Sequence, residues 1–136
     1  MIKRILYGSL LLALLLGGIG YCFYQLENGS IQYQSPAYRL SATELVAAFL
    51  QDEQAASRQY SGKLLEVRGA INLLNPENGF IYLGAPTASS SVSCTMDSTQ
   101  IDKAVLLKAG DTVTIKGICT GFLIDVQLNR AEFLSK

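Results

Sequence analysis

Three hydrophobic patterns succeed one another along the chain, and each predicts a different element. The first is continuous. From Ile5 to Tyr24 no residue is charged, and Leu10-Leu11-Leu12-Ala13-Leu14-Leu15-Leu16 forms the centre of the run. Twenty apolar residues in a helix reach about 30 Å, the thickness of a bilayer's hydrocarbon core, so residues 1–24 read as a transmembrane anchor or signal. Lys3 and Arg4 precede the run and only Glu27 is charged in the fourteen residues after it. The positive end stays cytoplasmic, which places the rest of the chain on the outer (periplasmic or extracellular) side of the membrane. Three fates fit the segment. The interfacial aromatics of Tyr21-Cys22-Phe23-Tyr24 favour a retained signal-anchor, Gly18-Ile19-Gly20 offers small residues for cleavage, and Cys22 is a position for lipidation.

Residues 25–40 have no regular period and contain the breakers Asn28-Gly29-Ser30 and Pro36, the signature of a tether. Tyr33 and Tyr38 within it are available to pack on the domain. That domain is expected over residues 41–136. It opens with the second pattern, a helical one. Ser41-Ala42-Thr43-Glu44 is a capping box, Leu40 and Leu45 stand where a hydrophobic staple closes, and Leu45, Phe49, Ala56 and Tyr60 recur on one face. This predicts a helix over 42–59, ended by Ser61-Gly62.

From Lys63 the period falls to two. Leu65, Val67, Ile71 and Leu73 share one parity in a strand that Gly69 allows to bend. Asn75-Pro76-Glu77-Asn78-Gly79 turns the chain into a short strand, Phe80-Ile81-Tyr82-Leu83, and a loop of small residues leads to a third, Val92 to Met96. A short helix capped by Asp97 or Ser98 is predicted over 97–107. Two further strands complete the pattern, Thr112 to Cys119 and one after Gly121 that alternates Ile124, Val126 and Leu128 on its inner face. Leu65-Glu66-Val67-Arg68-Gly69 and Val113-Thr114-Ile115-Lys116-Gly117 repeat one pattern, apolar, polar, apolar, basic, glycine. Three strands, a short helix and two strands is the order of an OB-fold, a mainly β, five-stranded barrel; the helix over 42–59 would be an added N-terminal element.

The pieces resemble the tRNA-anti-like family, exported OB-fold proteins of unknown function. The likeness is carried by Phe49, Asp52-Glu53, Ala56 and Tyr60, by Ser61-Gly62-Lys63, and by Leu65-Glu66-Val67-Arg68-Gly69. It continues through Val92-Ser93-Cys94, Leu107-Lys108-Ala109-Gly110-Asp111-Thr112-Val113 and Lys116-Gly117-Ile118-Cys119, covering residues 42–134. Asp52 stands where the family has asparagine. The resemblance implies the fold and an envelope location; it implies no demonstrated RNA binding.

Charge and chemistry narrow the function. Residues 25–136 carry nine basic and eleven acidic side chains, which supplies no broad field for phosphates, so nucleic acid is a disfavoured partner. The chain has no histidine, which removes the common general base and the histidine-dependent nucleophile and metal sites. No catalytic residue, metal site or cofactor is expected, and Asp52-Glu53 reads as a solvated pair on a helix. Cys94 and Cys119 share parity with core residues, and in an oxidising compartment a disulfide between them is expected. Phe80 and Tyr82 share the parity opposite to Ile81 and Leu83, which aims them at the outer face that OB-folds use for stacking ligands, with Arg68 and Lys116 as flanking cations. The expectation is a membrane-anchored, exported, non-catalytic OB-fold module of the cell envelope. It would bind an unidentified protein or small ligand or serve a structural role, the alternative being single-stranded nucleic acid or oligosaccharide on the outer face.

Overall fold

The computed structural model describes the backbone of residues 2–27 and 30–135, and side chains at 9, 11–24 and 30–134. The chain divides into two compact units, Met1–Ser30 and Ile31–Lys136.

The first unit is helix α1, Ile2–Glu27. Its described leucines and aromatics, among them Leu11, Leu14, Leu16, Tyr21 and Phe23, are all exposed, an apolar surface on every side. Among the described residues no helix is long and apolar enough to cross a membrane. The transmembrane helix expected over 5–24 falls partly on residues 5–8 and 10, whose side chains lie outside the described residues.

The second unit is a closed barrel. Its strands are β1 (Tyr38–Ser41), β2 (Leu64–Asn75), β3 (Phe80–Leu83), β4 (Val92–Met96), β5 (Thr112–Phe122) and β6 (Val126–Ser135). The sheet runs β1-β2-β3-β4-β6-β5, and β5 pairs back onto β2, so five strands close and β1 is an addition along β2. The two similar pentapeptides are direct partners across this closure: Leu65 faces Gly117, Val67 faces Ile115 and Gly69 faces Val113. Leu65, Val67, Ile81, Leu83, Ile115, Val126 and Leu128 fill the interior and are almost wholly shielded from solvent. Gly69 sits where β2 passes from its β5 partner to its β3 partner. A Cβ there would lie 2.8 Å from the Ala42 Cβ and 3.3 Å from the Leu83 Cβ, so only glycine admits the neighbouring helix.

That helix is not continuous, although the 3.6-residue period runs through it. It is two, α2 (Ala42–Gln51) and α3 (Glu53–Tyr60), broken at Asp52, whose backbone is extended. The Asp52 carboxylate accepts a hydrogen bond from the Ala55 N–H at 2.9 Å and so caps α3. The capping box at the start of α2 is present as predicted: the Ser41 N–H donates to Glu44 Oε2 at 2.8 Å and the Glu44 N–H donates to Ser41 Oγ at 3.1 Å. The hydrogen bonds from the Ser41 backbone and hydroxyl hold the Glu44 carboxyl below its ordinary value.

The two ends of the barrel are covered differently. Phe49 of α2 stacks on Phe122 with ring centroids 5.5 Å apart, and Val46 and Leu50 face the 84–90 loop. At the other end the chain after β4 forms a 3-10 turn over Ser98–Gln100 and then α4 (Ile101–Ala104), with Ile101 against Gly79 of the β2–β3 turn. Asp97 caps this segment, accepting from the Thr99 N–H at 3.0 Å.

Residues 31–37, whose sequence reads as tether, lie on the barrel. Ile31 is buried, the Ala37 N–H donates to the Leu64 carbonyl, and Tyr38 meets Tyr60 edge-on at 5.1 Å, whereas Tyr33 is exposed. Ile124, assigned by alternation to the core, is also corrected: with Leu123 it forms an exposed tip, because the chain turns through 123–125 and β6 begins only at Val126.

A neutral aromatic face and a covered lysine

The β2–β3 turn is built from its own side chains. Asn75 Oδ1 accepts from the Asn78 N–H, Pro76 opens the turn, and Gly79 leaves it with φ of 67°, a left-handed conformation suited to glycine. The chain then enters β3 with Ile81 and Leu83 inward and Phe80 and Tyr82 outward and half-buried, as alternation predicts. Register places Leu73, Tyr82, Ser93 and Gln127 in one row across β2, β3, β4 and β6, and Asn75, Phe80 and Thr95 in the next. These rows hold two aromatic rings, an exposed leucine, the hydroxyls of the buried Ser93 and the half-buried Thr95, and two amides, with no charged side chain among them.

A cation does stand at the end of the second row. Between the Cys94–Leu128 and Met96–Ala131 pairs, one residue of β4 opposes two of β6, a bulge that sets Asn129 and Arg130 across from Thr95. Arg130 has φ of 53°, a left-handed conformation that costs a non-glycine residue on the order of 1 kcal/mol or more. Asp97 lies in its field: the Asp97 carboxyl is held below its ordinary value by the Thr99 backbone and hydroxyl and then by Arg130. Nothing in the sequence announces this bulge, because a one-residue insertion in a ladder leaves no compositional mark.

The two flanking cations expected from the sequence, Arg68 and Lys116, are elsewhere. Arg68 is exposed on β2 opposite Thr114, in a cleft of about 400 Å³ shared with Arg39, Glu44 and Glu66, where Arg39 Nε donates to Glu66 at 3.2 Å. Lys116 is buried. Its ammonium donates to the carbonyls of Gln32 at 2.9 Å and Gln34 at 2.7 Å. Its ladder partner on β6 is Glu132, also buried, which accepts from the Ile31 N–H at 3.0 Å. The pair clamps residues 31–34 to the outside of β5 and β6. The structure therefore brings Phe80 and Tyr82 together and places neither Arg68 nor Lys116 beside them.

The disulfide between Cys94 and Cys119 is corrected as well. Both cysteines are buried with free thiols, in agreement with their inward parity. Yet Cys94 on β4 and Cys119 on β5 both pair with Leu128 of β6, which lies between them. Two strand spacings separate their backbones by about 10 Å, beyond the roughly 7 Å a disulfide can bridge. Burial pushes the Cys94 thiol up to about 12 and raises that of Cys119, against a smaller opposing hydrogen bond from the Gly121 backbone.

The barrel order, the helix between its third and fourth strands and the outward aromatic rows define an OB-fold protein. The tRNA_anti-like family model matches residues 1–133, and the chain belongs to this family. The match includes the N-terminal segment, which the residue likeness over 42–134 does not cover. Among solved structures, a candidate nucleic acid-binding lipoprotein from Klebsiella pneumoniae subsp. pneumoniae aligns with a TM-score of 0.57 at 17% identity, covering 71% of this chain and 91% of that one. A candidate aspartyl-tRNA synthetase from Leishmania major Friedlin aligns with a TM-score of 0.48 at 12% identity, covering 80% of this chain and 23% of that one. Comparison with curated proteins finds no match.

Proposed function

We propose that the protein is a membrane-associated, exported and non-catalytic binding module. Its ligand lies across the outer face of β3 and β4 and is an extended, mostly uncharged polar chain, a glycan rather than a polyanion. One observation carries this reading: two outward aromatic rings stand in rows whose other members are hydroxyl, amide and aliphatic side chains. Aromatic faces stack on sugar rings, hydroxyls and amides exchange hydrogen bonds with sugar hydroxyls, and OB-folds use this side of the barrel for oligosaccharides as well as oligonucleotides. Binding of single strands without sequence preference also requires a cationic groove along the backbone. The rows supply only Arg130 at their margin, beside Asp97. Membrane association is assigned to the apolar surface of α1, which agrees with the lipoprotein character of the Klebsiella protein.

Single-stranded nucleic acid is the second reading, favoured by Arg130 standing at the end of the Phe80 row. One titration separates the two. Fluorescent N-acetylglucosamine oligomers and mixed-sequence single-stranded DNA and RNA are added to the full chain over a range of salt. Glycan binding that ignores salt and disappears in Tyr82→Ala supports the first reading. Nucleic-acid binding that weakens steeply with salt and disappears in Arg130→Ala transfers the function to the second. Binding of neither probe sinks the assignment of this face as a polymer site. Membrane association is tested by fractionation, where recovery of the intact chain in the soluble fraction would overturn it.

A further inference from the structure

At the α4 end of the barrel lies a second concavity, separate from the aromatic face. It is a cleft of about 380 Å³, within the size range of small-molecule sites. Its walls come from three places. Leu106 and Leu107 come just after α4, Val113 and Phe133 rise from the start of β5 and the end of β6, and Leu134 continues the β6 wall. Gln32 closes another side, and its position is fixed because its carbonyl is one of the two that the buried Lys116 ammonium holds. The apolar surface extends beyond the cleft: Val105 is 63% and Leu106 77% exposed. Such exposure of consecutive branched side chains beside a concavity leaves apolar surface that a hydrocarbon chain would remove from water.

The lining carries one charge, and it is positive. Lys103 is exposed on the lining, no carboxylate accompanies it there, and among the described residues it has no ion-pair partner. An apolar slot with a single unpaired cation complements a molecule with a hydrocarbon tail and one anionic head. We propose that this cleft binds a long-chain carboxylate, a free fatty acid, with the tail against Leu106, Leu107 and Phe133 and the carboxylate on Lys103. The site is independent of the aromatic face and does not rest on what that face binds.

The test uses the full chain held in amphipol, with dodecanoate bearing a diazirine near its tail as the probe and peptide mass spectrometry as the readout. Saturable labelling within residues 103–107 or 133–134 is expected, competed by unlabelled dodecanoate and less effectively by dodecanol, which lacks the charge. Lys103→Glu replaces attraction by repulsion and is expected to weaken the competition constant about tenfold. Leu106→Asp, at a position exposed enough not to disturb folding, is expected to weaken it at least as much. Tyr82→Ala is expected to leave labelling unchanged, and abolition of labelling by that variant would overturn the proposal. Labelling that does not saturate, that falls only on residues 2–27, or that neither cleft variant alters would overturn it equally.

Discussion

Two parts of the barrel's outer surface start from the same instruction and end differently. On β5 and β6, Lys116 and Glu132 point away from the core, and on β3 so do Phe80 and Tyr82. The charged pair is buried, because residues 31–34 lie over it and present two carbonyls and an N–H to its ends. The aromatic pair has no such cover. Polar side chains are thus taken out of water while aromatic ones are left partly in it, the reverse of what residue type alone would predict. The covered pair is held in place by hydrogen bonds to backbone that would otherwise be unsatisfied. The aromatic pair is half-buried and keeps part of each ring open to solvent. Burial marks the first as structural, and the part of the second that stays open is the place to look for binding.

The largest expected effect breaks the covered side. Lys116→Ala takes the buried donor away from the Gln32 and Gln34 carbonyls, and leaving two acceptors without it is expected to cost about 3 kcal/mol. Urea unfolding monitored by circular dichroism should show a loss of that size. A double variant, Lys116→Met with Glu132→Leu, sharpens the point. If the pair acted only on itself, the double variant would recover most of the stability. Because it acts on the backbone of residues 31–34, the double variant is expected to recover little.

The contrast also shows which features are legible in the chain and which are not. Alternation correctly turns Ile81, Leu83, Cys94 and Cys119 inward, and the Ser41–Glu44 box marks the start of α2, since these depend on neighbours a few residues away. The burial of Lys116 is not legible locally, because its cover comes from residues 82 and 84 positions earlier in the chain. The break at Asp52 is hidden by a helical period that runs through it, and the exposure of Ile124 by an alternation that continues past the turn. The bulge at Arg130 leaves no trace in composition at all. Local chemistry chooses the elements; the partners of each face are set by topology.

On the open side a truncation should have little effect on stability. Tyr82→Ala removes a half-buried ring from a surface row, and a loss of about 1 kcal/mol is expected in the same unfolding measurement. A loss as large as that of Lys116→Ala would mean that the ring is part of the packing and that the face is not open.

A smaller effect comes from acid. Glu44, in the box at the start of α2, and Asp97, in the field of Arg130 beside the open face, both have their carboxyls held below the ordinary values of 4.5 and 3.8. A carboxyl lowered by folding contributes stability that is present above its ordinary value and lost as pH falls through the folded value. The midpoint of unfolding should therefore hold steady from neutral pH to about 4.5 and decline only below it. Asp97→Asn should make that decline shallower, and an unchanged acid limb in this variant would show that the Asp97 interactions do not outlast the local turn.

The smallest expected effect is none, and it tests the strand that joins the two sides. Cys94 belongs to β4 on the open face and Cys119 to β5 under the covered one, and β6 lies between them with Leu128 as the common neighbour. A bond between the cysteines, closing a loop of about 25 residues, would stabilise the barrel by roughly 3 kcal/mol in the chain-entropy model and be lost on reduction. With β6 in the way, reductant should leave the unfolding midpoint unchanged even in protein purified under oxidising conditions. Both thiols should alkylate after denaturation without prior reduction. In the native state Cys94 should react slowly near pH 8, because a thiol raised to about 12 by burial stays protonated there. A reductant-sensitive midpoint would mean that β4 and β5 approach each other directly. That would remove β6 from between the two cysteines and, with it, the row that carries Tyr82, Ser93 and Gln127 across the open face.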